Sequence, residues 1–462
     1  MEATVQKPAV LDLLSSGYRR RFLFVMFLVS TFNFADRAVF AAVAQMVKRD
    51  LVLSDAQLGV LQGIAFAAIY SLLGIPIGWL SERRRRLPIV TVCLAIWSVM
   101  TALCGGAVNF VQLLGARVGV GIGEAGFMSP VSSLVSDLFP RERRASAMSL
   151  VMLGTPVGTL LGAVAGGWIA QHLGWRAAFV IVGLPGLAIA ALVPTLLREP
   201  GRGLAEGALP SAAPPPRFLD IWGLVVRKRA LLFVLIGGVL AQFGLTSISQ
   251  FMTPFLVRTH HLPIGQAAPL FGVISAISIA SGLMLGSFGS ERAGRRDLRW
   301  AAWGPVIGLT CATPLYQIAF RQSTLGGAVL FLILGGMSLL CYYGPTLAML
   351  QNMVGPRMRA TIAAVFGVFY SLIGLGLGPT FTGVASDRFA AANFTLGRFA
   401  TLCPGGAAPK GAAPALAQAC REASAVGLQH ALTAATLIFV LAAVFYALAS
   451  RTYRADIYRA EA

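Results

Sequence analysis

Charge is scarce in this chain, and acid scarcer still. Only 12% of its 462 residues are charged, and 18 Asp and Glu stand against 37 Lys and Arg. Soluble domains carry about 25% charged residues. With 56% hydrophobic residues and a mean hydropathy of +0.75, the class is membrane and a soluble enzyme is excluded. Cysteine and histidine are few as well. Six Cys and four His form neither a Cys-x-x-Cys pair nor a Cys/His metal spacing, so no metal site is read. His172, His260 and His261 fall in loops, and His430 enters the last apolar run without a base or nucleophile beside it. No catalytic residue is assigned, and an enzyme is not expected. The formal net charge of +19 would suggest nucleic acid in a soluble domain. Here the arginines collect between apolar runs, which is a sign of membrane orientation, and nucleic acid is not expected as a partner.

What is abundant is apolar sequence. Runs long enough to cross a hydrocarbon core of about 30 Å lie near 21–47, 57–80, 87–107, 110–137, 145–170 and 175–197, then near 230–257, 266–290, 299–320, 326–353, 360–386 and 428–450. The expected fold is an all-α membrane protein of twelve transmembrane helices in two six-helix bundles related by a pseudo-two-fold axis. The N-terminal bundle spans 1–198, a linker 199–229 and the C-terminal bundle 230–462. Glu199–Pro216 is rich in Gly, Ala and Pro and too polar to cross. Arg217–Arg229 alternates apolar and basic residues, as either a surface-lying amphipathic helix or a solvated connection would. Met1–Ser16 has no cleavage-type site after an apolar core, so no signal peptide is read.

Most Lys and Arg fall in the N-terminus, the linker, the C-terminal tail and the even-to-odd loops. Both termini are therefore expected in the cytoplasm, and the protein in the cell inner membrane. The long loop near Phe389–Gly427 then lies outside, where oxidising conditions permit a bridge between Cys403 and Cys420. Sequence alone does not bring the two thiols together.

An internal repeat is visible. Gly78-Trp79-Leu80-Ser81-Glu82-Arg83 closes the second run and Ser287-Phe288-Gly289-Ser290-Glu291-Arg292 closes the eighth; Arg144-Ala145-Ser146 and Arg359-Ala360-Thr361 recur at nearly the same separation. Duplicated halves are a transporter signature, because rocking about a central site exposes it to one side at a time.

These residues resemble the loop signature of the major facilitator superfamily, Gly-x-x-x-Asp-Arg-x-Gly-Arg-Arg, with Glu82 and Glu291 in place of Asp. Arg117-Val118-Gly119-Val120-Gly121-Ile122-Gly123 is similar to its Arg-x-x-x-Gly-x-Gly pattern, and Gly154-Thr155-Pro156-Val157-Gly158 resembles its antiporter motif. Within the superfamily, Asn33-Phe34-Ala35-Asp36-Arg37, Gly123-Glu124-Ala125-Gly126 and Gly174-Trp175-Arg176 look like the Spinster family, which implies movement of lysolipids or sphingoid lipids. The resemblance further implies a cytoplasmic gate of Glu82, Arg83, Arg144, Glu291, Arg292 and Arg359, in which Glu82 and Glu291 pair with Arg144 or Arg359 to latch that side shut.

Four charges lie inside spans: Asp36 and Arg37 in the first, Arg117 and Glu124 in the fourth. Each costs at least about 2.5–3.5 kcal/mol at mid-bilayer and requires a partner, water or a purpose. Asp36 and Arg117 sit at similar depth and are expected to be able to pair. One reading makes Asp36 and Glu124 proton carriers, with Arg37 and Arg117 tuning them or holding an anionic headgroup. The other makes the charges a lock between helices. Asn33 either lines a cavity or packs. Gln242, Tyr342, Tyr343 and Tyr370 offer an uncharged polar and aromatic wall in the second half, which suits an amphiphile; core packing is the alternative for each. The expected partner is a membrane lipid or amphiphilic small molecule carried by a monomer, with no cofactor beyond the proton as coupling ion. A proton-coupled drug or organic-anion transporter and an uncoupled lipid facilitator or scramblase share these features.

Overall fold

The computed structural model describes residues 15–202, 204, 218–294, 297–355 and 358–458. The stretch before residue 15 and residues 203 and 205–217 of the expected linker lie outside them. Regular elements among the described residues are all helical. Helix is the form expected in lipid, where each backbone N–H and C=O must find its partner within the segment.

Eleven helices are long and apolar enough to cross a membrane: Ser16–Asp50, Asp55–Arg83, Arg86–Cys104, Phe110–Leu138, Ser146–Leu173, Trp175–Leu196, Arg229–Thr259, Ile264–Gly294, Leu325–Asn352, Thr361–Asn393 and Pro414–Asp456. A further helix, Trp300–Arg321, carries Pro305 and Pro314. Counted in chain order it is span 9 of twelve, and the chain is a multi-pass membrane protein. The side from which span 1 starts is called the near side, the other the far side. Phe218–Arg227 forms a short helix ahead of span 7.

The last span differs from expectation. It begins at Pro414 and runs 43 residues, whereas the apolar run begins near 428. Residues 414–427 are too polar to register as membrane sequence but rich in alanine, which favours helix. Cys420 and Ala423 on this extension pack with Phe394, Phe399 and Ala390, and Cys403 and Cys420 form a disulfide.

Several spans are interrupted. Span 2 breaks at Gly63, span 4 between Glu124 and Met128, and span 10 between Leu340 and Tyr343. Span 11 winds as a π-helix over Tyr370–Leu377, a rare form found frequently at functional sites. Spans 4 and 10 are counterparts in the repeat, so the duplication reaches their interruptions.

The chain divides into two compact units that do not follow the midpoint of the sequence. Unit 1 is Met1–Val43, Ala65–Ala213 and Ile264–Pro269; unit 2 is Ala44–Ile64, Pro214–Pro263 and Leu270–Ala462. The far-side corner between spans 1 and 2 thus belongs to the second unit, and the start of span 8 to the first. In unit 1, Gly154, Gly158, Gly162 and Gly166 make a row four residues apart on span 5 that meets span 1 backbone to backbone. A Cβ at Gly162 would lie 2.8 Å from Ala35 Cα, and one at Gly154 2.7 Å from the Phe27 carbonyl. Such close approach is how helices gain contact where lipid is as apolar as their own side chains. It fixes the stretch of span 1 that carries Asp36 and Arg37.

The disulfide closes a segment of 17 residues. For a loop of that size, replacing both cysteines (Cys403→Ser with Cys420→Ser) is expected to cost about 3 kcal/mol. A thermal melt of the double variant should show a lower midpoint than wild type; an unchanged midpoint would mean that the packed loop holds without its bridge.

Candidate transport site

Asp36 and Arg37 are consecutive on a continuous helix and so point about 100° apart. They take different partners. Arg37 reaches span 4, where its Nε donates to Glu124 Oε2 at 2.6 Å and a terminal nitrogen makes a second contact to the same oxygen. The Glu124 side chain is fully buried, while that of Arg37 is 23% exposed, so the pair has one open edge. The guanidinium is boxed by aromatic faces at 4.6 Å from Phe66, 5.2 Å from Phe34 and 5.4 Å from Tyr70. A cation over a ring keeps part of the stabilisation it loses with water.

Asp36 turns to span 3, where the Thr101 hydroxyl donates to Oδ2 at 3.1 Å. Its Oδ1 and the Oε1 of Glu124 are both buried without a hydrogen-bond partner among the described residues. The Arg117 guanidinium lies over Phe40 at 4.7 Å and Phe66 at 5.6 Å, near enough to act on both carboxyl groups through its field. Asn33, buried one turn before Arg37, lies close to Glu124. All five residues gather in unit 1.

In unit 2 the uncharged candidates also gather. The Tyr342 hydroxyl donates to Gln242 Oε1 at 3.4 Å and lies 3.5 Å from the Tyr370 hydroxyl, and the Tyr343 ring packs 6.2 Å from Tyr342 and 6.0 Å from Tyr370. Tyr342 sits in the break of span 10, and Tyr370 opens the π-helix of span 11. The Thr246 hydroxyl of span 7 donates to the Gly374 carbonyl at 2.6 Å within that π segment. The irregular backbone is thereby satisfied by a neighbouring side chain.

The expected gate residues lie at the near-side ends of their spans. Glu82 is exposed, Arg83 lies 3.8 Å over the Trp79 ring, and Arg144 donates to the carbonyls of Ser136 at 2.7 Å and Phe139 at 3.1 Å. Arg292 and Arg359 are exposed, and the Glu291 side chain lies outside the described residues. The near-side hub of unit 1 is Arg86, read from sequence only as part of a basic run. It is 1% exposed, pairs with Asp137, and donates to Glu199 at 2.8 Å, Ser133 at 3.0 Å and the Pro200 carbonyl at 2.9 Å. Glu199 also accepts the Arg86 and Leu87 backbone N–H groups, capping the start of span 3.

A second cluster went unread. On the far side, within unit 2, Asp55 accepts from Arg258 at 2.7 and 2.8 Å, from Lys48 at 2.6 Å and from Ser386 at 2.7 Å; Arg258 also donates to Gln45 at 2.8 Å. Asp387 accepts the backbone N–H groups of Asp55 at 3.0 Å and Ala56 at 2.8 Å, where the positive end of the span 2 helix favours a carboxylate. The sequence signal was the rarity of acid. The argument that singled out Glu82 and Glu291, that acids at span ends do little for orientation, applies equally to Asp55, Asp137 and Asp387.

Replacing Asp55 by Asn leaves Lys48 and Arg258 buried without their shared counter-charge, and breaking a buried pair in this way costs about 3–5 kcal/mol. A melt of Asp55→Asn should fall well below wild type, and adding Arg258→Ala should recover part of the loss. A single variant that melts like wild type would show the cluster to be dispensable for stability.

Comparison with known proteins accords with this architecture. The family model described as Major Facilitator Superfamily matches residues 26–379. A protein of Mycolicibacterium smegmatis named MFS-type efflux pump is 31% identical over 79% of this chain and 83% of its own length. Protein spinster homolog 1 of Homo sapiens is 26% identical over 81% of this chain and 74% of its own. The crystal structure of a bacterial homolog to the human lysosomal transporter Spinster, inward-facing and occupied, covers 97% of this chain and 100% of its own at 33% identity with a TM-score of 0.87; its unoccupied form gives 0.86. The chain, a transporter and not an enzyme, belongs to the major facilitator superfamily and within it to the Spinster family.

Proposed function

We propose that this chain moves an amphiphilic, lipid-like substrate of the lysolipid or sphingoid type across the membrane by alternating access, coupled to protons. The observation that carries the reading is the buried constellation of Asp36, Arg37, Arg117 and Glu124, in which each carboxyl group keeps one oxygen without a hydrogen-bond partner among the described residues. A charge buried in an apolar slab is stabilised by pairing or removed by protonation. Glu124 ionised is matched by Arg37; if a headgroup draws Arg37 away, the carboxyl takes a proton, and its unpartnered oxygen can carry it as a hydroxyl donor. The open edge of Arg37 is where an anionic headgroup enters this scheme, and Asp36 is the second exchanging site.

The uncharged set of Gln242, Tyr342, Tyr343 and Tyr370 serves the less polar part of the substrate. The bacterial Spinster homolog, known inward-facing both empty and occupied, supports alternating access. Excess Lys and Arg on the near side supports a cytoplasmic near face with both termini inside, in the inner membrane. The efflux-pump relative from M. smegmatis favours drug export as the second reading.

The test is movement of a fluorescent lysolipid or sphingoid lipid in proteoliposomes with and without an imposed pH gradient, for wild type, Asp36→Asn and Glu124→Gln. Wild type should respond to the gradient, and each variant should lose that response. Movement indifferent both to the gradient and to the substitutions would make the protein a facilitator or scramblase. Absence of lipid movement in wild type, with export of amphiphilic drugs retained, would favour the second reading.

A further inference from the structure

Spans 8, 9 and 10 enclose a cleft of about 310 Å³ within unit 2, whose lining includes none of the tyrosine cluster and no charged residue. Its floor is cut by glycines, Gly286 and Gly289 on span 8 and Gly304 and Gly308 on span 9, and its walls include Trp300 and Ile307, which are 43% and 49% exposed. An apolar trough with exposed apolar walls on a membrane helix is filled by lipid or by another chain.

Three observations select the occupant. The trough runs along span 9 from Trp300 to Cys311, about 16 Å of helix, close to the depth of one leaflet of a core about 30 Å thick. Its near-side mouth is basic. Arg292 closes span 8 and Arg299 precedes span 9, both exposed. Of the acids in this stretch, Asp297 is engaged by Arg454 at 2.7 Å and by the Arg299 backbone N–H at 2.8 Å, and the Glu291 side chain lies outside the described residues. Finally, the Ser290 hydroxyl, which lines the trough beside Gly304, is buried and has no hydrogen-bond partner among the described residues.

We propose that this cleft is a binding site for one anionic phospholipid of the near-side leaflet, with an acyl chain in the glycine trough, an ester oxygen accepting from Ser290, and the headgroup phosphate at Arg292 and Arg299. Trp300 stands at the mouth, where indole rings settle at the headgroup level. The site is independent of what the transporter carries, so it stands or falls apart from the function proposed above.

The test is native mass spectrometry of the full chain titrated with phosphatidylglycerol or with phosphatidylcholine of the same acyl chains. Wild type should retain one phosphatidylglycerol at least about tenfold more tightly than phosphatidylcholine, a difference of about 1.4 kcal/mol. Gly289→Trp fills the trough at a position where an added Cβ meets nothing within 4 Å, and it should abolish that retention. Arg292→Gln with Arg299→Gln, both on the surface, should bring phosphatidylglycerol down to the level of phosphatidylcholine. Equal retention of the two lipids by wild type, or undiminished phosphatidylglycerol in either variant, would overturn the site. A wild-type dimer that Gly289→Trp splits into monomers would overturn it as well, since the occupant would then be a second copy.

Discussion

A carboxylate withdrawn from water into an apolar slab needs a matching charge, and the pairing of Glu124 with Arg37 is the interaction on which the interior of unit 1 turns. It joins span 1 to span 4 at the point where span 4 breaks. Its cation is held by three aromatic faces rather than by solvent. The packing around it follows. The glycine row of span 5 presses on span 1 over Phe27–Val39, so the helix bearing Asp36 and Arg37 is located by backbone contact rather than by long side chains free to adjust. A site positioned this way stays in register while the charges on it change.

The second half repeats the plan with other chemistry. Span 10 breaks where span 4 does, but tyrosines occupy the break, and the distorted backbone of span 11 is satisfied by a threonine hydroxyl. Duplication preserved the irregular helices, while the side chains diverged into a charged set and a phenolic set. At the ends of the spans, charge does structural work. Arg86 gathers Asp137 and Glu199 on the near side, and Asp55 gathers Lys48 and Arg258 on the far side. In each case an acid also caps the start of a helix: Glu199, which holds the Arg86 side chain as well, on the near side, and Asp387, beside Asp55, on the far side.

Much of this was legible in sequence because membrane physics is severe. Twelve apolar runs, the Ser-Glu-Arg repeat and four intramembrane charges follow from composition and spacing, and the structure draws the candidate residues of each half into one cluster apiece. What was not legible depended on partners distant in sequence. Nothing in the basic run Arg83–Arg86 marks Arg86 as buried while its neighbours are exposed, because the distinction is made by Glu199 and Asp137. The cluster at Asp55 depends likewise on Arg258 and Ser386, more than two hundred residues away. Span 12 was read short for a different reason: its alanine-rich start is helical by propensity yet too polar to register as membrane sequence.

The central claim is that substrate and proton are linked through the charges of unit 1: an anionic headgroup takes Arg37, and the carboxyl group it leaves takes a proton. It is tested most directly by calorimetry of lysolipid binding to the purified protein in buffers of differing ionisation enthalpy, which counts protons exchanged on binding. Linkage requires a buffer-dependent heat if binding changes the protonation of Glu124 or Asp36. The account predicts such a dependence in wild type and its loss when Asp36→Asn and Glu124→Gln are combined. Binding heats in wild type that are the same in every buffer would contradict it.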